Sequence, residues 1–160
     1  LYVETSVFGF AFDHGQHNAD KRSATQALFQ MTAAGKAIGV VSPPVLVELE
    51  RTVDHDLRKQ ITGVLQTLHR VDLRAEEMRE AEELAQFFMD RQAFPPEKTD
   101  DAIHVAYFTL MAELDAMVSW NLKHLANLNN RRYLQALAME RGFCRNMEIV
   151  TPFEVIGNEG

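Results

Sequence analysis

Apolar positions in this chain fall into two kinds of block: short continuous runs, and longer stretches where apolar residues recur at three- and four-residue spacing. The first kind predicts buried strands and the second helices lying on them. Leu1 to Phe8 is apolar and β-branched, leads into a Gly/Asp/His/Asn-rich stretch, and predicts a buried strand entering a loop. Asn18 predicts the cap of a helix over 19–34, with Leu28, Phe29 and Met31 on its apolar side and Gly35 as its stop. Residues 37–41 predict a second short strand. Ser42 followed by Pro43 is a cap and first-turn signature for a helix reaching about Thr52, and Asp54 predicts the cap of the next.

An acidic helix is predicted over 75–91, with Met78, Ala81, Leu84, Ala85 and Phe88 at helical spacing and Phe94-Pro95-Pro96 breaking the chain after it. Thr99 predicts the cap of a helix ending near Glu113, which is almost wholly apolar from Ala102 onward and therefore buried. Residues 116–120 predict a strand, and Asn121 the cap of a helical stretch to about Arg141, stopped by Gly142. A last strand is predicted over 148–150, before a second cap-and-proline signature at Thr151-Pro152. Strands alternating with helices imply an α/β fold, a three-layer α/β/α arrangement around a mostly parallel central sheet.

Composition narrows the class. A chain of 160 residues that is 46% hydrophobic and 24% charged suits one globular domain over 1–160, without an internal repeat or low-complexity linker. No apolar run approaches the roughly 18 residues of a membrane span, and no basic stretch followed by an apolar one opens the chain. Neither a membrane partner nor secretion is expected. The single cysteine, Cys144, can form neither an intramolecular disulfide nor a zinc cluster, which favours a reducing cytoplasm. A net charge of −7 argues against non-specific coating of nucleic acid. Any such contact is expected to be local, and residues 121–146 offer Lys123, Arg131, Arg132, Arg141 and Arg145 against Glu140 alone. That patch can hold RNA phosphate, with Trp120 or Tyr133 for base stacking, or it is a solvated helix face with its arginines paired elsewhere.

In open parallel sheets, sites form at the carboxyl ends of strands and the helix starts that follow them. Glu4 lies inside an apolar run, where a carboxylate must be paired with an arginine or bound to a cation. Glu48 and Glu50 are two apart on one helix, so only one of them can face a common site. Asp100 and Asp101 open the most buried helix, where capping alone accounts for acidic residues, although Asp101 extends the core-facing row Val105, Phe108, Ala112. His104 is expected to pair with a carboxylate, Asp100 being one candidate four residues back, with metal ligation as the alternative. Asn121 and His124 read as an N-cap and a surface histidine. Three carboxylates from separate elements would make an all-oxygen site suited to Mg²⁺ or Mn²⁺. Dinucleotide, Walker and paired-cysteine motifs are absent.

Four stretches resemble the PIN-domain family, metal-dependent ribonucleases common as toxins of bacterial and archaeal toxin–antitoxin pairs. They are Tyr2-Val-Glu-Thr-Ser-Val-Phe8, Val41-Ser-Pro-Pro-Val-Leu-Val-Glu-Leu49, Asp101-Ala-Ile-His-Val-Ala106 and Met117-Val-Ser-Trp-Asn-Leu-Lys-His-Leu125. The resemblance runs nearly end to end in family order and implies a PIN-like fold and an endoribonuclease. It implies Glu4, Glu48 and Asp101 as the acids that hold Mg²⁺ or Mn²⁺, with Asn121 orienting a ligand or water. Thr5 or Ser6 would bind water in the site, and Lys123, Arg131 and Arg132 would serve RNA. It further implies a homodimer and, for a toxin, a small antitoxin protein. Two positions depart from the pattern: Glu4 replaces the usual aspartate, and His124 stands where many members carry another acid. The alternative these departures raise is a PIN-like module that binds RNA or a protein without cleaving.

Overall fold

The computed structural model describes residues 1–125 and 127–157. Among them, a parallel sheet of five short strands carries eight α-helices, an α/β architecture consistent with three layers. The strands are β1 (Tyr2–Val3), β2 (Val40–Val41), β3 (His69–Arg70), β4 (Met117–Val118) and β5 (Ile149–Val150), in the spatial order β3-β2-β1-β4-β5. Tyr2 pairs with both Val40 and Met117, which makes β1 the central strand.

The first run corrects the sequence expectation. The strand ends at Val3, and Thr5–Ala11 is a helix, α1, capped by the Glu4 side chain, which accepts the Ser6 N–H. Val7, Phe8 and Ala11 are buried at helical spacing, a pattern that a run of eight apolar and β-branched residues does not separate from a strand. Helix α2 (Ala19–Ala33) ends before Gly35, whose φ of +71° is the left-handed stop expected there, and Gly142 repeats this at +87°. Asn18 does not cap α2 with its side chain; its amide donates to Asp13.

Helices α3 (Pro43–Glu50) and α4 (His55–Leu65) link β2 to β3, and Asp54 caps α4 through the Leu57 N–H at 2.8 Å. Strand β3 carries no apolar signal because His69 and Arg70 are both exposed on the sheet edge. Helix α5 (Ala75–Asp90) packs on α6 (Thr99–Leu110), and α6 meets α3, while α1 and the last helix α8 (Pro152–Gly157) pack on α2. The buried helix stops at Leu110, short of Glu113, and its cap position is Lys98. Helix α7 (Leu128–Glu140) starts later than expected: its cap is Asn127, not Asn121.

Tyr2, Val3, Val41, Met117, Val118 and Ile149 form the sheet's part of a continuous core that includes Phe8, Leu28, Phe88 and Phe108. Full burial of each large apolar side chain contributes about 1.5–3 kcal/mol before the cost of ordering it. This core fixes the strand ends from which the polar side chains project. No helix of the described residues is long and apolar enough to cross a membrane.

Candidate metal centre

The strand order changes direction beside β1: the chain runs outward through β2 and β3, then returns to place β4 on the other side of β1. The carboxyl ends of β1 and β4 therefore mark the switch point, the place where open α/β sheets bind ligands. Glu4 leaves β1 there, and Ser119, Trp120 and Asn121 leave β4. The Glu4 N–H donates to the Val118 carbonyl at 3.0 Å, so the two strand ends stay in register beyond the last ladder pair.

Glu4 is only 5% exposed. Its carboxylate accepts the Ser6 N–H at 3.1 Å, the Ser119 hydroxyl at 2.8 Å and the Ser6 hydroxyl. The serines are themselves held, since Ser6 Oγ accepts the Trp120 N–H and Ser119 Oγ the Asn121 N–H, both at 2.9 Å. Among the described residues no arginine or lysine pairs with Glu4. The ion-pair alternative for this residue is thereby removed.

Helix α3 turns Glu48 toward Glu4 and leaves Glu50 exposed, as a spacing of two on a helix requires. Helix α6 supplies Asp101 and His104, three residues apart on one face. Glu4, Glu48 and His104 each offer a ligand atom, and these atoms lie within 4.8 Å of one another. This Glu-Glu-His cluster can hold a metal ion. The expected third acid, Asp101, does not complete it. His104 takes that place, and Asp101 stands beside the cluster with Asn121 Nδ2 donating to its Oδ2 at 2.9 Å. The spacing Asp101-x-x-His104 is the sequence signal that carries His104 to the same face.

The hydrogen bonds of His104 settle its partner. Nε2 is 2.9 Å from Glu48 Oε1 and 3.5 Å from Thr5 Oγ1, and Nδ1 is 2.9 Å from the Tyr2 hydroxyl, which is 2.7 Å from Ser42 Oγ. Asp100 is exposed and is not that partner. Burial lowers the His104 pKa, but the Glu48 hydrogen bond and the charges of Glu4, Glu48 and Asp101 outweigh it, and the net shift is upward. Burial acts to raise Glu48, yet hydrogen bonds from His104 and Thr5 and the His104 charge bring it below the usual carboxylate value. Asp101 is raised by burial and by the charge of Glu4, against the Asn121 hydrogen bond. Burial raises the Tyr2 phenol well above its ordinary value, so it stays protonated.

Thr5 and Ser6 open α1 facing this cluster and are bonded to protein groups, Ser6 most fully. Asn121 heads a turn, its Oδ1 accepting the His124 N–H at 3.1 Å, and so holds Asp101 without capping a helix. The basic patch divides. Arg131 donates to the Ile149 carbonyl and lies 3.8 Å from Glu148, and Arg145 donates to the Met111 and Leu114 carbonyls, so both brace the fold. Lys123 and Arg132 are exposed. Trp120 is no stacking platform: it is buried against Phe10 and Phe153, and its indole N–H donates to Thr25. Tyr133 is partly exposed, with its hydroxyl on the Arg91 carbonyl. Compared with family models, with curated proteins and with solved structures, the chain finds no match.

Proposed function

We propose that this protein is a divalent-metal-dependent endoribonuclease with a PIN-like site, cutting RNA phosphodiesters at the switch point between β1 and β4. The observation that carries the reading is Glu4, a buried carboxylate with three hydrogen-bond donors and, among the described residues, no arginine or lysine partner, within 4.8 Å of Glu48 and His104. A buried anion beside a second carboxylate is costly unless a positive charge joins it, and this donor set suits a small divalent cation. Glu4, Glu48 and His104 would hold the ion, and Asp101, fixed by Asn121, would add a further carboxylate next to it. Mg²⁺ and Mn²⁺ are the candidates, and of the two the hard Mg²⁺, which takes oxygen ligands, gains less from the imidazole nitrogen. When bound, such an ion polarises phosphoryl oxygens and makes water a stronger nucleophile at neutral pH.

The rest of the chemistry belongs to the chain. The Ser6 and Ser119 hydroxyls hold Oε2 of Glu4 and the Ser6 N–H holds Oε1, so little reorganisation accompanies loading. Lys123 and Arg132 are exposed where RNA phosphate can reach them and supply the sequence-independent part of binding. Arg131, engaged with the last strand, contributes to that strand's position instead. Resemblance to toxin ribonucleases extends the proposal to a homodimer and a small antitoxin protein working in the cytoplasm.

The test is cleavage of mixed single-stranded RNAs with Mn²⁺, with and without chelator. Cutting that needs the metal and is lost in Glu4→Gln is the expected result; cutting that survives chelation rejects the mechanism. A second reading, binding without cleavage, is favoured by one observation: Asn121 and His124 stand together in the turn after β4, so that turn brings no acid to the site. RNA retention with no cleavage under any divalent ion would select it.

A further inference from the structure

We infer that Tyr2 and Ser42 are positioning residues that let His104 carry its proton on Nδ1 and present a free Nε2 beside the carboxylates, and so make the centre prefer ions that accept nitrogen, such as Mn²⁺, over Mg²⁺. The inference rests on the metal reading above and deepens it.

Two side chains have given up ordinary roles to reach His104. Tyr2 belongs to the central strand and is wholly buried, a place where an apolar ring needs no hydroxyl. Its hydroxyl lies 2.9 Å from His104 Nδ1 and 2.7 Å from Ser42 Oγ. Ser42 occupies the cap position of α3, where a serine hydroxyl usually accepts a helix N–H, yet it makes no capping bond and is itself wholly buried. Its oxygen faces Tyr2 instead.

The proton count explains what this arrangement does. A neutral imidazole that offers Nε2 to a cation must carry its proton on Nδ1, and that proton needs a buried acceptor. Tyr2 Oη is that acceptor, and it can accept only by turning its own hydrogen toward Ser42 Oγ. Without the ion, both hydroxyls can turn the other way: Nε2–H donates to Glu48, and Tyr2 donates to Nδ1. The Ser42–Tyr2 pair therefore gives Nδ1 a partner in either tautomer. Phenylalanine at position 2 would leave Nδ1–H without an acceptor in a site that water does not reach, and the imidazole would keep its proton on Nε2, turned against the cation. Loss of such an outer hydrogen bond weakens metal affinity by roughly 10–100-fold when the histidine is a ligand. Mg²⁺, which draws on carboxylate and water oxygen, gains little from imidazole and should be less affected.

The experiment compares wild type, Tyr2→Phe and Ser42→Ala. Affinities for Mn²⁺ and for Mg²⁺ come from titrated thermal shifts, and pulsed EPR of bound Mn²⁺ reads coupling to a nitrogen nucleus. The expected result is nitrogen coupling in wild type and, in Tyr2→Phe, a Mn²⁺ affinity about tenfold or more weaker with a smaller change for Mg²⁺. Ser42→Ala, which keeps the phenol, should move the Mn²⁺/Mg²⁺ ratio the same way by a smaller factor, and it decides the matter if Tyr2→Phe does not fold. An unchanged ratio in the folded variants, or Mn²⁺ bound without nitrogen coupling, overturns the inference while the metal reading stands. Wild type stabilised by neither ion overturns the metal reading itself.

Discussion

Replacing Glu4 by glutamine keeps the shape of the side chain and removes one charge from the cluster, so its two effects can be weighed separately. In chelator, the variant turns three hydrogen bonds to a carboxylate, from the Ser6 N–H and the Ser6 and Ser119 hydroxyls, into bonds to a neutral amide. Bonds to charged groups contribute about 1.5–3 kcal/mol and neutral ones about 0.5–1.5, a loss of roughly 3–4 kcal/mol for the three. Against that, the charge no longer repels Glu48. At the 4.8 Å limit of the cluster this repulsion is about 3.5 kcal/mol with an effective dielectric constant of 20, reduced where His104 carries a proton. The terms nearly cancel, and the metal-free variant should melt within a few degrees of wild type at neutral pH. With Mn²⁺ at about a hundredfold excess over its dissociation constant, wild type should gain about 2.7 kcal/mol, or about 5–11 °C in Tm for a chain of this length. The variant should gain less than half of that. Differential scanning fluorimetry in chelator and in Mn²⁺ measures both. A metal-free loss of about 3–5 kcal/mol would mean that the Glu4 charge is paired within the fold, and a full Mn²⁺ gain in the variant would remove Glu4 from the metal site.

Asp101→Asn should leave metal-free stability equal or higher, because burial and the Glu4 charge disfavour the Asp101 carboxylate; a clear loss in urea unfolding would assign it a structural role. The metal-free protein should be most stable between about pH 4.5 and 6.5, the ordinary values of Glu48 and His104. Below that window the lowered Glu48 is protonated and its contribution is lost; above it the raised His104 loses its proton and its contribution follows. Urea midpoints in chelator across pH check this, and stability that rises from pH 6.5 to 8 contradicts it. Lys123→Gln and Arg132→Gln should each weaken RNA binding and lower the slope against salt by about 1, whereas Arg131→Gln should lower Tm with the slope unchanged. Fluorescence anisotropy at several salt concentrations separates them. Trp120→Phe should cost about 1–2 kcal/mol by leaving the Thr25 hydroxyl short of its indole partner, without changing RNA affinity; a loss of affinity in the folded variant would restore Trp120 as a stacking residue.

The periodicity of α5 and α6, the glycine stops at Gly35 and Gly142 and the Asp54 cap follow from local physics: side-chain spacing, left-handed backbone and short-range capping bonds act within a few residues. The same rules fixed the α/β class and picked out Glu4 and His104 as polar residues at costly positions, whereas the choice of Glu48 over Glu50 came from the family resemblance alone. They failed where neighbours distant in sequence decide. Thr5–Ala11 is helical because Glu4 caps it and because Val7, Phe8 and Ala11 find the core on one side, which an apolar run read alone cannot show. Exposed His69 and Arg70 form a strand only because β2 lies beside them. Whether His104 answers to Asp100 or to Glu48, whether Ser42 caps its helix or holds Tyr2, and whether Arg131 meets RNA or a strand carbonyl are matters of which groups the fold brings within 3 Å. Hydrogen bonds act over that distance alone, and the tertiary structure sets it.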